Sequence, residues 1–228
     1  MSIVLYDLAG ADPDLRFSPY CWRTRFALAH KGLPVDTVPW RFTDGDAIAF
    51  SGQGKVPVIQ DEDTVVFDSW TIAGYLEDQV PAPTLFGGGT GRAHALFINS
   101  WADAVLAGGI ARFIVCDMIV VIDPKDRDYF RSSREARFGA TLEAVQAGRE
   151  DRLAAFRDLL SPIRLVLRKQ AWIGGAAPSY ADFIVAGTLM WPRCVSRFAL
   201  LEDNDPVSAW FDRVLDLYGG LGRDARRV

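Results

Sequence analysis

Apolar and polar residues alternate in short blocks over the first third of the chain. Four apolar, β-prone runs are bounded by proline, glycine or acidic turn residues, which is typical of strands. These runs cover residues 3–8, 35–38, 56–59 and 65–67. Ser18-Pro19 and Ser69 each precede a segment whose apolar residues have helical spacing, so each is predicted to begin a helix. The order β-α-β followed by β-β-α predicts a small three-layer α/β domain.

The remaining two thirds of the chain has helical periodicity. The predicted helices cover residues 92–115, 126–145, 151–168, 179–190 and 207–218, with a kink or boundary at Pro162. Ser179 and Asp182 have the Ser-x-x-acid spacing of a capping box. Proline and glycine clusters predict a linker before the first of these helices. We therefore expect an α/β domain at residues 1–82, a linker at 83–91 and an all-helical domain at 92–228.

The composition argues against several classes of function. The formal net charge is -4, which gives no electrostatic footprint for nucleic acid. Three separated cysteines and two histidines give neither a disulfide framework nor a metal-ligand spacing, so no metal is expected. The most apolar stretch, 113–122, is interrupted by Asp117 and is too short to span a bilayer. We expect a cytoplasmic protein that does not enter the membrane.

Ser18-Pro19-Tyr20-Cys21 carries the first candidate chemistry. A helix N-terminus offers free N–H groups and the positive end of the helix dipole, which stabilise an anion such as a thiolate. The Ser18 hydroxyl could donate a further hydrogen bond to that thiolate. A serine at this position is also an ordinary N-cap, and this alternative stays open.

Two more segments carry candidate binding groups. A cis peptide at Val56-Pro57 would leave the Val56 backbone N–H and C=O free for a peptide-like ligand, although an ordinary edge-strand proline is the commoner role of such a residue. At the next predicted helix start, the Ser69 hydroxyl could bind a ligand carboxylate and Asp68 a ligand ammonium. A γ-glutamyl group carries both charges on one carbon and fits this pair.

Three segments resemble, in order and spacing, the cytosolic glutathione transferases. They are Ser18-Pro19-Tyr20-Cys21, Lys55-Val56-Pro57-Val58 and Asp68-Ser69. The resemblance implies a thioredoxin-like glutathione-binding domain followed by an all-α domain, with glutathione as cosubstrate and a homodimer as the assembly.

The resemblance also implies site residues. Ser18 would activate the glutathione thiol, Val56 beside a cis Pro57 would hold the cysteinyl backbone, and Asp68 with Ser69 would hold the γ-glutamyl end. Lys55 is a candidate for the glycine carboxylate, with a solvated surface lysine as the alternative. Three aromatic residues could line a pocket for a hydrophobic aromatic acceptor, although core packing is the commoner role of such residues. They are Tyr20, Trp101 and Phe113.

A narrower resemblance points to the bacterial glutathione-dependent β-aryl etherases of lignin breakdown. It rests on the long loop before Ser18, on Phe67-Asp68-Ser69-Trp70, and on the unusual run from Val145 to Leu153. It implies that glutathione displaces an aryloxide from the carbon next to an aromatic ketone.

Two other function classes remain open. Ser18-Pro19-Tyr20-Cys21 is similar to a glutaredoxin site whose first cysteine is serine, which suggests a glutathione-dependent thiol–disulfide oxidoreductase. A hydroxyl forms no mixed disulfide, so such activity should be weak. The third class is a non-catalytic ligand-binding protein that keeps the fold.

Overall fold

The structure is a computed structural model that describes residues 3–228. Its first part is a four-stranded sheet with strand order β2-β1-β3-β4. The elements are β1 (Ile3–Leu8), α1 (Pro19–His30), β2 (Val35–Trp40), β3 (Val58–Asp61), β4 (Thr64–Phe67) and α2 (Ser69–Gln79). Strands β1 and β2 are parallel, while β3 is antiparallel to both of its neighbours. This arrangement confirms the predicted thioredoxin-like α/β domain.

Two strand limits differ from the prediction. Strand β2 continues through Pro39 to Trp40, because β2 is an edge strand and can accommodate a residue without an N–H. Strand β3 begins at Val58 and not at Val56, since Pro57 has no N–H to donate to the ladder. The register pairs Val58 with Phe67, which brings Pro57 next to Asp68.

The second part of the chain is helical, as predicted. Its α-helices are α3 (Gly89–Trp101), α4 (Ala107–Val121), α5 (Arg127–Phe138), α6 (Leu142–Gln146), α7 (Leu153–Leu159), α8 (Ser161–Leu167), α9 (Tyr180–Val195), α10 (Pro206–Leu215) and the short α11 (Leu217–Gly220). The single helix predicted at 126–145 is wrong. Gly139 ends α5 in the left-handed conformation (φ 67°), and Thr141 caps α6. The boundary predicted at Pro162 is confirmed by the start of α8.

Helices α3 and α4 form one run joined by a π-helical segment, Ala102–Leu106. Residues Gly89–Val121 therefore have the length and apolar composition of a membrane-crossing helix. This corrects the expectation drawn from the most apolar stretch, 113–122, because the apolar helical run that includes most of it is 33 residues long. A core helix of a globular protein has the same properties, and α3 and α4 both contact α9 inside the helical domain.

The two domains meet where α1 contacts α9. The fully buried Arg23 of α1 donates from Nη1 to Asn99 Oδ1 (2.9 Å), and from Nη2 to Asp103 Oδ1 (2.8 Å) and Thr188 Oγ1 (3.0 Å). On α9, a Cβ at Gly187 would lie 2.8 Å from the Pro19 carbonyl oxygen, so only glycine allows this close approach.

The capping box predicted at the start of α9 is confirmed. The fully buried Asp182 carboxylate accepts hydrogen bonds from several donors. These are the backbone N–H groups of Ile173 (2.7 Å), Gly174 (3.1 Å) and Ser179 (3.0 Å), the Ser179 hydroxyl (3.2 Å) and Trp210 Nε1 (2.9 Å). One carboxylate thus fixes α9, α10 and the loop before them together.

Candidate active site

Ser18 lies at the N-terminus of α1, between the sheet and the helical domain. Its Oγ accepts a hydrogen bond from Cys21 N (3.3 Å), so Ser18 is the N-cap, and Pro19 occupies the first helical position. Accepting this bond leaves the hydroxyl hydrogen available for donation. Ser18 is 3% exposed and lines a cavity of about 380 Å³. The capping role and a role as hydrogen-bond donor are therefore compatible.

Four of the predicted site residues line this one cavity. They are Ser18, Tyr20, Lys55 and Val56. Burial raises the pKa of the Tyr20 hydroxyl, and the negative charge of Asp103 raises it further. Tyr20 therefore stays a neutral hydrogen-bond donor at physiological pH. The guanidinium of Arg23 lies 4.7 Å from the centre of its ring.

The segment before β3 offers free backbone groups at the cavity wall. The Val56-Pro57 peptide is cis, as predicted. Within residues 3–228, neither the N–H nor the C=O of Val56 has a hydrogen-bond partner in the protein. Pro57 O accepts a hydrogen bond from Asp68 N (3.3 Å), and this bond holds the start of α2 next to the Val56-Pro57 segment.

The cap of α2 differs from the prediction. Asp68 is the N-cap and not Ser69, because Asp68 Oδ1 accepts from Trp70 N (3.1 Å) and Thr71 N (3.0 Å). Asp68 has φ 70°, a left-handed conformation that is rare outside glycine and typical of functional sites. In the described part of the chain, the N–H and hydroxyl of Ser69 and Asp68 Oδ2 make no hydrogen bond. Asp68 is exposed, Ser69 is 3% exposed, and both lie outside the set of residues that lines the cavity.

Aromatic rings that the sequence analysis did not identify form the outer part of the cavity. Phe42, from the loop after β2, lies 5.6 Å from Phe130 and 6.3 Å from both Phe17 and Tyr129, measured between ring centres. The buried Asp126 holds this loop by accepting from Phe42 N (2.9 Å), and its other oxygen accepts from Thr43. The local sequence carries no signal for this contact between residues 84 positions apart.

Two predicted acceptor-site residues lie elsewhere. Phe113 is 3% exposed and packs inside the helical domain, with its ring centre 5.1 Å from that of Phe156. Trp101 is half-buried at the end of α3, outside the set of residues that lines the cavity. The wall on α4 is instead formed by small and medium residues at helical spacing. They are Ala107, Ala111, Val115 and Met118.

The unusual run from Val145 to Leu153 has a structural role on the outer side of α4. Gln146 Oε1 accepts from Cys116 N (2.7 Å), and its Nε2 donates to Asp117 Oδ1 (3.0 Å). Arg149 donates to Asp117 Oδ2 (3.0 Å) and to the Phe113 carbonyl oxygen (2.8 Å). This run supports the helix that forms the cavity wall, and its own residues lie outside the cavity.

Cys21 follows the candidate site in sequence but is fully buried. Burial raises the pKa of its thiol well above the usual range, and the nearby Asp7 raises it further. A neutral, buried thiol is a poor nucleophile.

Two protein-family models match the chain. The model of the glutathione S-transferase C-terminal domain matches residues 93–216, and that of the N-terminal domain matches residues 17–79. Glutathione S-transferase Z2 of Arabidopsis thaliana is 32% identical over 93 residues, which is 39% of this chain and 40% of that relative. The matched region thus spans less than half of this curated relative.

Solved structures match over nearly the whole chain. A glutathione transferase from Phanerochaete chrysosporium has a TM-score of 0.77 and 28% identity, covering 96% of this chain and 92% of its own. A glutathione S-transferase of Ceriporiopsis subvermispora in complex with glutathione has the same TM-score and 24% identity, covering 95% and 96% of the two chains.

Proposed function

This chain belongs to the glutathione S-transferase family, and from that premise we propose that it activates glutathione with Ser18 for attack on an aromatic electrophile. One observation carries the proposal. Ser18, Lys55 and Val56 line the same cavity, and Asp68, which precedes Ser69, is hydrogen-bonded to Pro57, the residue after Val56.

The unpartnered groups of the site match the groups of glutathione. The N–H and C=O of Val56 complement a peptide backbone, and the N–H and hydroxyl of Ser69 complement the γ-glutamyl carboxylate. Asp68 Oδ2 provides a negative charge for the γ-glutamyl ammonium. Lys55 provides a positive charge for the glycine carboxylate. These residues would hold the tripeptide with its thiol towards Ser18.

The chemistry is a nucleophilic substitution. The Ser18 hydroxyl donates to the thiolate, and the N-terminus of α1 adds the positive end of its dipole. The sulfur then forms a bond to the carbon next to an aromatic ketone. The bond from that carbon to the aryloxide oxygen breaks, and the aryloxide leaves with the bonding electron pair and takes a proton from water. The aromatic wall of the cavity, formed by the rings of Phe17, Phe42, Tyr129 and Phe130, is suited to ring-bearing acceptors of this kind.

The burial of Cys21 disfavours the thiol–disulfide oxidoreductase hypothesis, because neither Ser18 nor a neutral Cys21 can form a mixed disulfide. A non-catalytic binding protein would use the Ser18 hydroxyl only as the N-cap of α1 and would convert no electrophile, and this difference is measurable.

Reduced glutathione is expected to bind and stabilise the folded protein. At 100 times its dissociation constant it should add about 2.7 kcal/mol to the free energy of unfolding, seen as a raised melting temperature.

Ser69→Ala should weaken binding about 10-fold by removing a hydrogen bond to a charged group. Its stability without ligand should change little, since Asp68 is the cap.

The matched control for this experiment is Ser208→Ala, which removes a serine hydroxyl from α10 and should leave the affinity for glutathione unchanged. Absence of binding at millimolar glutathione would remove the basis for the proposed function.

A more specific prediction is that the protein cleaves a β-aryl ether. Incubation with glutathione and a guaiacyl β-aryl ether ketone should release guaiacol and form a glutathione thioether, both detected by mass spectrometry. Each ether enantiomer is assayed separately. If the protein conjugates a generic aryl halide but releases no phenol from either enantiomer, ether cleavage is rejected. The assignment as a glutathione transferase would still stand.

We also propose that the protein is a homodimer. Two large apolar side chains on α3 are exposed, Phe97 to 70% and Leu96 to 50%, which is typical of a contact surface. Light scattering should give twice the chain mass of 25.2 kDa for the wild type, and Phe97→Asp should shift the measured mass towards that of a single chain. The control is Leu165→Asp, at an equally exposed apolar position on α8. A wild-type mass near that of one chain at micromolar concentration would contradict the dimer.

A further inference from the structure

The cavity carries positive charge that the protein itself does not neutralise. Arg134 and Arg137 of α5 both line it, on the side of the aromatic wall. Within residues 3–228, no carboxylate lies within 4.0 Å of either guanidinium, whereas Arg131 of the same helix pairs with Glu135 and Glu143. Unpaired cations in a partly closed cavity attract anions.

The guanidinium of Arg134 is held in place by aromatic rings. It lies 4.7 Å from the centre of the Phe130 ring and 5.4 Å from that of Phe42, and its Nη1 donates to Ser133 Oγ (2.9 Å). Burial lowers the pKa of Arg134, the neighbouring Tyr129 opposes this change, and the positive charge of Arg137 lowers the pKa further. Arginine keeps its charge under such a shift, so the protein maintains a partly desolvated cation beside the rings that would hold the acceptor.

The remaining charges of the cavity already have roles. Asp103 is the acidic residue among the lining residues, and it accepts from the buried Arg23 at 2.8 Å. Lys55 belongs to the α/β domain and to the predicted site for the glycine carboxylate. Arg137 approaches Tyr20 closely enough for its charge to oppose the rise in the Tyr20 pKa that burial causes. The half-buried Arg134 and the exposed Arg137 are therefore the lining cations of the described residues that have no role yet.

We propose that the acceptor is an aromatic molecule with an oxyanion of its own, a carboxylate or a phenolate on the ring, and that Arg134 and Arg137 bind this group. This proposal rests on the proposed function, and it adds the charge of the acceptor. A neutral acceptor that filled the cavity would displace water from Arg134 without replacing the lost hydrogen bonds, which is unfavourable. An anionic acceptor would replace them with charge-assisted hydrogen bonds, and planar guanidinium groups suit the geometry of a carboxylate.

The test compares two acceptors that differ only in charge. Para-carboxyphenacyl bromide and its methyl ester both react with a thiolate by loss of bromide from the carbon next to the ketone, and the charge lies far from that carbon. The values of kcat/KM are divided by the uncatalysed rate constants with glutathione. We expect the wild type to prefer the acid by about 10- to 100-fold, the usual contribution of hydrogen bonds to a charged group.

Variants of the two arginines test whether these residues cause the preference for the acid. Arg134→Gln and Arg137→Gln should each reduce the ratio of acid to ester by about 10-fold, and Arg134→Lys, which keeps the charge, should retain part of it. Arg127→Gln is the matched control, because it removes the same charge from an exposed position of α5 outside the cavity. Circular dichroism verifies that each variant is folded.

A second measurement keeps this test independent of turnover. Calorimetry without glutathione should show that para-acetylbenzoate binds more tightly than its methyl ester, and that Arg134→Gln and Arg137→Gln each reduce the difference. If the wild type converts both bromides with a normalised ratio near one, the anion site is rejected and the transferase function stands. If neither bromide is converted, the transferase function fails, and equal binding of the two acetyl compounds would reject the anion site as well.

Discussion

Replacement of Ser18 by alanine is expected to lower turnover by about 100-fold or more, with a much smaller change in glutathione affinity. The Ser18 hydroxyl acts on the sulfur, whereas Val56, Asp68 and Ser69 hold the rest of the tripeptide. Loss of the donor should also raise the pKa of the bound thiol. Ultraviolet absorbance of the thiolate, titrated against pH in the complex of the protein with glutathione and without acceptor, measures that pKa directly.

Two further variants separate the donor from the cap. Ser18→Asp keeps an N-cap acceptor for Cys21 N but brings a negative charge to the sulfur, so its stability should hold while its turnover falls. Ser18→Thr keeps the hydroxyl and should keep most of the activity. Full turnover and an unchanged thiol pKa in Ser18→Ala would assign Ser18 to capping alone, and the activation would then come from the dipole of α1.

The largest loss of stability is expected for Asp182→Ala. The change leaves the buried Ile173 N–H and Trp210 Nε1, and the half-buried donors of Gly174 and Ser179, without their acceptor. Each unsatisfied buried donor costs about 1–3 kcal/mol, so the free energy of unfolding should fall by about 3 kcal/mol or more after relaxation. For a protein of this size the melting temperature should fall by about 6–12 °C. Urea unfolding of the variant and the wild type measures the difference.

The comparison variants are Asp203→Ala, at an exposed position, and Asp182→Asn. The first should change stability by less than about 0.5 kcal/mol. The second keeps one acceptor oxygen but turns amide hydrogens towards donors, so its loss should be intermediate. A loss below about 1 kcal/mol in Asp182→Ala would show that the loop before α9 satisfies its donors in another way.

Elements that depend on a few neighbouring residues were predictable from the sequence. The caps at Ser18 and Ser179 are examples, because the side chain and the N–H that it binds lie within three residues of each other. The stop at Gly139 and the restart at Thr141 were also present in the sequence, and the prediction of one helix over 126–145 overlooked them. At α2, Asp68 and Ser69 are both good capping residues, and the choice depends on the left-handed φ of Asp68, which local propensity does not determine.

The acceptor cavity depends on features that have no local signal. Each residue of an α-helix turns the chain by about 100°, and the π-helical segment Ala102–Leu106 fits extra residues into its turn. The directions of the side chains on α3 therefore cannot be extrapolated to α4. Phe113 points into the core, while Val115 lines the cavity. Phe42 reaches the cavity because Asp126, far along the chain, binds its N–H.

The buried guanidinium of Arg23 constrains how relatives of this protein can exchange parts by recombination. Arg23 belongs to the α/β half, while its three acceptors Asn99, Asp103 and Thr188 belong to the helical half. A chimera that joined this α/β half to a helical half with other residues at those positions would bury an unpaired charge, at a cost of about 3–5 kcal/mol. New acceptor specificities in this lineage are therefore expected to arise by substitutions within the walls on α4 and α5, with the two halves inherited as one unit.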